Sequence, residues 1–426
     1  MSIKSILFSN RIDIFFIILI FILILSPVFI NYISKKESKL KIVNLYLSIR
    51  CEELLGKGLT ELLLKEFNEQ NPDIVIKLEY TGNETVQQVM TEQQAADILI
   101  FNEGDFSALV AEGSLAELIN FYKFEEEESK DLESENIHYA IPLVSFMDLL
   151  FYNIEILSDT GFDHPPKTRD EFLAYSRAVA RSKTNASMPD STAISLNLND
   201  RQALSRDIFS WIWANGGDFW ANDEEKPVIN TRNIINDITF LGTLNRDGLL
   251  APGIFETSGD QRIDEFAGGK IAMMIASSRA IPYLREKMGD AAFGITTIPN
   301  SSTSGKYNIN ISSIYAGINS SGVHSDEAWR FLKFISEKSL LFCEQLHAVP
   351  GSVTNIISSD YIKDDIFYLK AWDIFEASRI VQGFSGKHGA QKYKTAFLEE
   401  FRKFFNGNQT SAQTVIAIQR RWDEIE

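Results

Sequence analysis

The sequence predicts an α/β protein built on parallel strand pairs, and three observations carry that prediction. From Ile42 onward, extended and helical patterns alternate without interruption. The helical stretches close on Gly or Pro. The chain has 426 residues, which is more than one ordinary core holds and enough for two lobes plus an N-terminal addition.

Residues 1–34 read as a signal or an uncleaved membrane anchor. Lys4 and Arg11 precede the run IDIFFIILIFILILSPVFINYI, residues 12–33, and Ile14 to Leu25 hold no polar side chain. The apolar reach is about 20 residues, enough for one helical crossing of a bilayer. Ser26 and Ser34 have Ile24 and Tyr32 two positions earlier, so no small-x-small cleavage pattern is present. No cysteine follows the apolar run directly, which removes a lipoprotein site. The expectation is an uncleaved anchor rather than a cleaved signal. Lysines and an arginine flank both ends, so the charge rule assigns no orientation.

The soluble part follows in order. KIVNLYLS alternates as a first strand, GLTELLLKEFNEQNP has helical spacing and a Pro72 stop, and DIVIKLEYTG is a second strand. ETVQQVMTEQQ is a short helix, ADILIFNEG a third strand, and FSALVAEGSLAELINF a helix with a Gly break. This order implies right-handed crossovers, with ligand contacts expected in the loops beyond the strand carboxyl ends. EEEESKDLESE is a solvated acidic stretch whose spacing suits no calcium loop. HYAIPLVSFMDLLFYN is apolar and extended. Thr168 caps a helix, with Glu171 completing a capping box. NLNDRQALSRDIFSWIWANGGDFW is an aromatic-rich helix ending at Gly216 and Gly217, and a further helix ends at Gly248. GDQRIDEFAGGKIAMMIASSRAIPYL reads as helix, Gly turn, buried strand, loop and helix.

Composition excludes several classes. Lys and Arg total 41 against 58 Asp and Glu, a net charge of −17, which argues against nucleic-acid binding. The five histidines are scattered and the two cysteines, Cys51 and Cys343, have no zinc spacing, so no metal and no cofactor are expected. The cysteines read as isolated thiols, with a long-range disulfide in an exported protein as the alternative. No G-x-S-x-G, Walker, H-E-x-x-H or G-x-G-x-x-G motif occurs, and the chain is not expected to be an enzyme.

Several segments, taken together and in order, resemble the bacterial family 1 extracellular solute-binding proteins, the maltose-binding-protein-like subunits of ABC importers. They are FNEQNPDIVIKLEY, ADILIFNEGDFSALVAEGSLAELI, IPLVSFMDLLFYNIEILSDTGFDHPPKTRDEF, FAGGKIAMMIASSRAIPYL, ISSIYAGINSSGVHSDEAWRFLKFISE, HAVPGSVT and GNQTSAQTVIAIQRRWDEI. The resemblance implies a two-lobe periplasmic-binding-protein fold, type II-like, with three crossings between the lobes. They are expected near Pro142 to Met147, Ile309 to Ser313 and Ser359 to Ile366. One lobe would comprise residues 42–144 and 314–360, the other 145–313 and 361–426. The implied partners are a small polar solute, a sugar or sugar acid, and the permease subunits of the inner membrane; the chain itself would be a monomer.

A sugar site combines aromatic faces with planar hydrogen-bonding side chains. Candidates in the first lobe are Arg50, Glu52, Asn83, Glu103 and Asp105, each following a strand; helix capping is the alternative for Asp105. Ser145 and Phe146 are expected at the hinge and wall. In the second lobe, Trp211 or Trp213 is expected to line the cleft, with core packing as the alternative, and Asp218 lies beside them. Ser277, Ser278 and Arg279 stand where the family often has Gly-Ser-Trp, so an acidic sugar or a sugar phosphate becomes a live reading, with a surface arginine paired to its acidic surroundings as the alternative. Ser312 and Ser313 complete the set, with Gln382 to Ser385 as a last contact loop. Two other functions remain open: a sensing or adhesive ectodomain of the same fold, and a glycoside-processing enzyme.

Overall fold

The computed structural model describes residues 41–47, 58–80, 96–121, 139–182, 191–199, 203–220, 226–301, 307–346, 348–350, 364–381, 383–384 and 387–425. The expected anchor, the short helix after Asn83, the acidic stretch and most of the third crossing lie outside these residues. Among the described residues no helix is long and apolar enough to cross a membrane.

The first part of the chain follows the strand–helix order read from sequence. Strand β1 (Lys41–Leu47) is followed by helix α1 (Leu59–Gln70), β2 (Ile74–Tyr80) and β3 (Ile98–Asn102). β1 pairs in parallel with both β2 and β3, as the crossover rule requires. Helix α2 (Glu103–Ala111) starts one turn earlier than its apolar pattern suggests. After Gly113, whose φ of +67° suits an achiral residue, the chain forms a bridge at Leu115 and a 3₁₀ turn instead of more α-helix.

Strand β4 (Ala140–Asn153) is the long apolar run of the sequence. It leads through α3 (Ile154–Asp159) to α4 (Arg169–Ser182). Thr168 Oγ1 accepts the Glu171 amide at 3.2 Å, while Glu171 reaches Lys167 N at 2.7 Å, so the capping box closes one residue early. Next come β5 (Thr192–Ser195), a π turn at Ser205–Phe209 running into α5 (Ser210–Ala214), α6 (Arg232–Arg246) and α7 (Gly259–Ala267). α7 carries a full capping box between Ser258 and Gln261. Then follow β6 (Ile271–Ser277), a 3₁₀ turn (Ser278–Ala280), α8 (Ile281–Met288) and β7 (Phe293–Thr296). The last third holds β8 (Tyr307–Ile318), α9 (Ser325–Glu337), α10 (Ser339–Leu346), β9 (Val349–Pro350), α11 (Ile366–Ala377), β10 (Ser378–Val381), α12 (Ala390–Phe405) and α13 (Ser411–Asp423).

The sheet is mixed, in the order β2-β1-β3-β8-β4-β6-β5, with β10 on β8 and β7 and β9 on β4. β4 and β8 are antiparallel to each other, with partners running from Ala140–Gly317 to Met147–Ile311. Beyond Met147, β4 exchanges β8 for β6 and β7. β8 behaves likewise: residues 307–310 pair with β10 and residues 314–318 with β3. The apolar packing changes at the same points. Val144, Phe146 and Ile314 belong to a core with β1, β3, α1 and α9, whereas Met147, Leu149 and Ile309 pack with β6, β7 and α11. A third, aromatic-rich core gathers α4, α5, α6, α12 and α13 around Trp211, Trp213 and Trp422.

One ion pair lies inside that last core. Arg169 donates to Asp237 at 2.5 Å and to the Trp211 carbonyl, and the two side chains are 7% and 0% exposed. Burial pushes the Asp237 carboxyl above its ordinary range and Arg169 pulls it back. Asp237→Ala leaves a guanidinium buried without its counter-charge. It should cost about 3–5 kcal/mol in urea unfolding at neutral pH, with Asp237→Asn losing less; a loss under about 1 kcal/mol would show the pair to be dispensable.

Candidate functional site

Three strand ends and the two transferring strands meet where β4 and β8 pass from one core to the next. On β4 and β8, Ser145 faces Ser313, Phe146 faces Ser312 and Met147 faces Ile311. Ser145 Oγ and Ser313 Oγ are 2.7 Å apart and buried. Just past the crossing, Asn310 Nδ2 donates to Asp148 Oδ2 at 2.6 Å. Side-chain hydrogen bonds therefore tie the two strands together on either side of the transfer point.

Asp148 is 4% exposed. Burial raises its pKa to about 6, against the pull of Arg206 and of the Asn310 amide. Asp207, 3% exposed, is also raised to about 6 by burial, opposed by Arg206 and the Asn197 N–H and reinforced by Asp148. Arg206 donates from Nε to Asp207 at 3.2 Å, and its side chain stays 27% exposed. The Asn197 amide donates to Asp207 at 3.2 Å, which fixes the π turn to the chain just beyond the carboxyl end of β5. π turns commonly mark functional positions, because one extra residue re-aims the side chains of the turn.

The carboxyl end of β6 supplies Ser277, Ser278 and Arg279. Ser278 is buried and accepts the Met147 amide at 3.1 Å, so it holds β4 in place. Ser277 accepts the Arg279 amide at 3.4 Å, and the Arg279 side chain is exposed. From the other core, β3 ends in Asn102, which accepts Gly104 N at 2.7 Å and caps α2. Glu103 and Asp105 are half-buried in the first turn of α2. Asp105 is thus inside the helix, and the capping considered for it belongs to Asn102. Ser107 Oγ donates to the Phe384 carbonyl at 3.2 Å, joining α2 to the loop before α12.

The sequence candidates divide clearly. Ser145, Ser278 and Ser313 converge on the crossing, with Ser312 half-buried beside them. Glu103 and Asp105 lie in the first turn of α2, just past β3, and Arg279 in the turn after β6. Phe146 is 4% exposed and packs into the first core, so it is not a wall. Trp211 and Trp213 are 0% and 1% exposed and pack edge-on against Phe172 and Phe209, so neither offers a ring face as a platform. Their helix is surrounded by α4, α6 and α12, and apolar rings of this size are held in a core by the area they bury. Gly383 approaches Trp213 so closely that a Cβ would sit 2.9 Å from the ring. Asp218 is exposed and accepts the Trp220 amide at 3.0 Å. Arg50, Glu52, Asn83, Cys51, Gln382 and Ser385 lie outside the described residues.

Asp148, Arg206, Asp207 and Asn310 were not among the candidates. Asp148 carried a legible signal: it is the one charge within the run IPLVSFMDLLFYN, and a charge in a buried strand requires partners. Among the described residues no grouping could hold a metal ion. A depression of about 650 Å³ lies on α1 and β2, lined by Glu61, Leu64, Lys65, Asn68, Glu69 and Leu78, and none of the crossing residues borders it.

Comparison with known proteins bears on this arrangement. The family model for bacterial extracellular solute-binding proteins matches residues 52–339. A binding protein of Brucella abortus (strain 2308) is 22% identical over 293 residues, spanning 65% of this chain and 68% of its own, and one of Brucella suis biovar 1 (strain 1330) matches to the same extent. Among solved structures, the sugar-binding protein MalE of Xanthomonas citri superposes with a TM-score of 0.73 at 15% identity, over 90% of this chain and 97% of its own. Maltose-bound MalE3 of T. maritima gives 0.69 at 15% over 90% and 99%. An ABC transporter solute-binding protein of Thermotoga lettingae bound with α-D-tagatose gives 0.70 at 16% over 90% and 99%. The architecture is that of two-lobe periplasmic sugar-binding proteins, and the chain belongs to the bacterial extracellular solute-binding protein family.

Proposed function

We propose that this chain is the extracytoplasmic solute-binding subunit of an ABC importer and that its solute is a carbohydrate held between two lobes. The observation that carries the reading is the β4–β8 pair: two antiparallel strands, clasped by side chains, pass together from one core to another. Such a pair is a hinge, and a solute touching both sides stabilises the closed arrangement because only there are both sets of contacts made. We place the lobes at residues 42–144 with 314–360 and at 145–313 with 361–426, a division that lies within two residues of the change of core between Phe146 and Met147. Structural relatives whose descriptions name maltose and α-D-tagatose support a sugar as the solute.

The reading requires no bond cleavage. Asp148 and Asp207 are buried and engaged by Asn310 and Arg206, so neither is presented as the acid or nucleophile of a glycosidase pair. Permease subunits are the proposed partners, and residues 12–33 the proposed tether to the cytoplasmic membrane.

Thermal denaturation of the purified chain with a panel of neutral mono- and oligosaccharides should reveal a solute that raises Tm. The gain should be about 2.7 kcal/mol at a hundredfold excess over Kd, and the oligosaccharide should be recovered intact. No shift across the panel, or release of shorter sugars, sinks the proposal. Removal of residues 1–34 should move the protein from a carbonate-resistant membrane fraction to the soluble fraction; equal recovery in both would remove the tether.

A further inference from the structure

We propose that Arg206 is a solute-contacting donor and that two buried carboxylates, its ion-pair partner Asp207 and, within its electrostatic reach, Asp148, make the site select uncharged polyhydroxy solutes over anionic ones. This rests on the carbohydrate reading above. Arg206 belongs to the π turn that follows the carboxyl end of β5, and its Nη2 lies 3.7 Å from where a Cβ on Gly259, the first residue of α7, would sit. It therefore occupies the strand-end region where open α/β sheets take ligands. Asp207 fixes its position with bonds of 3.2 and 3.1 Å to Nε and Nη2, while more than a quarter of the side chain remains open to solvent. A guanidinium held this way loses little freedom on bonding sugar hydroxyls.

The charge balance decides what it can bind. Two carboxylates act on one guanidinium, so with both ionised the cluster is net negative and repels an anion that approaches Arg206. The other groups around Asp148 do not reverse this. Asn310 from β8, Ser277 from β6 and Ser278 from the following turn are uncharged; Arg279 in that turn and Asp260 in the first turn of α7 are exposed and of opposite sign. Burial holds both carboxyls at about 6, so the cluster takes up a proton in mildly acidic solution and its repulsion of anions weakens there.

Calorimetric titration of the full chain with glucose, galactose, maltose and maltotriose, and with glucuronate, galacturonate and maltobionate, tests this near pH 7.5 and pH 5. A neutral member should bind, and its anionic counterpart should bind at least about tenfold more weakly at the higher pH. That ratio should shrink at the lower pH. Asp148→Asn should shrink it at both pH values and lessen its pH dependence, since Asp207 still titrates. Arg206→Met should weaken the neutral sugar by at least about tenfold, the worth of a hydrogen bond to a charged donor. A solute-independent readout accompanies these. The folded pKa values exceed the unfolded 3.8, so these two sites bind more protons in the folded chain between about 4 and about 6; relative to Asp148→Asn, the unaltered chain should lose stability as pH rises through that window and level off above it. The inference is overturned if an anionic member binds as tightly as its neutral counterpart near pH 7.5, if Arg206→Met keeps full affinity, or if Asp148→Asn leaves the ratio unchanged. Should a variant fail to fold, the pH dependence of the ratio in the unaltered chain decides alone. Binding of no member of either set overturns the carbohydrate reading and this inference with it.

Discussion

The backbone ladder between β4 and β8 is the constraint on which the remainder of the molecule depends. Each strand is long enough to serve two cores, and each changes its neighbours within a few residues of the same point. A ladder of this kind resists shear and stretching but permits bending. The Ser145–Ser313 and Asp148–Asn310 contacts add to this locally, because each joins the two strands without involving a third element.

Around the crossing, polar side chains are used in two ways. Ser278 and Asn102 accept backbone amides, that of Met147 where β4 changes its neighbours and that of Gly104 at the start of α2. Asp148, Arg206 and Asp207 instead form a charged group whose two carboxylates are buried while the guanidinium stays partly open to solvent. Carboxylates there are costly unless compensated, and a single guanidinium compensates them only in part. The raised proton affinity follows chiefly from burial, which desolvates both carboxylates, with Arg206 opposing it. The Arg169–Asp237 pair in the aromatic core is a balanced contrast, with one charge of each sign and no solvent.

Much of the fold was legible because periodicity and end signals agree. α6 and α7 carry Thr231 and Ser258 caps ahead of apolar spacing, and β4 and β6 are continuous, mostly apolar runs rather than helically spaced ones. The helix expected beyond Gly113 did not continue, since Leu115 is drawn into a bridge with Asn319, a partner more than two hundred residues away. The aromatic cluster was misread for a similar reason. A helix of alternating Trp and apolar residues looks the same whether its rings meet solvent, a sugar or Phe172 and Phe209.

By itself, the sequence determined the α/β class, the order of strands and helices, the apolar character of the crossing strands and the absence of a nucleic-acid-binding charge. These follow from local spacing and composition, which depend on neighbours a few residues apart. Tertiary structure alone decided that β8 enters antiparallel between β3 and β4, that Trp211 and Trp213 are core, and that Asp148, Arg206, Asp207 and Asn310 form one group. Those residues are separated by up to 162 positions along the chain. Only the packing of two cores about a shared strand pair brings their charges within reach of one another.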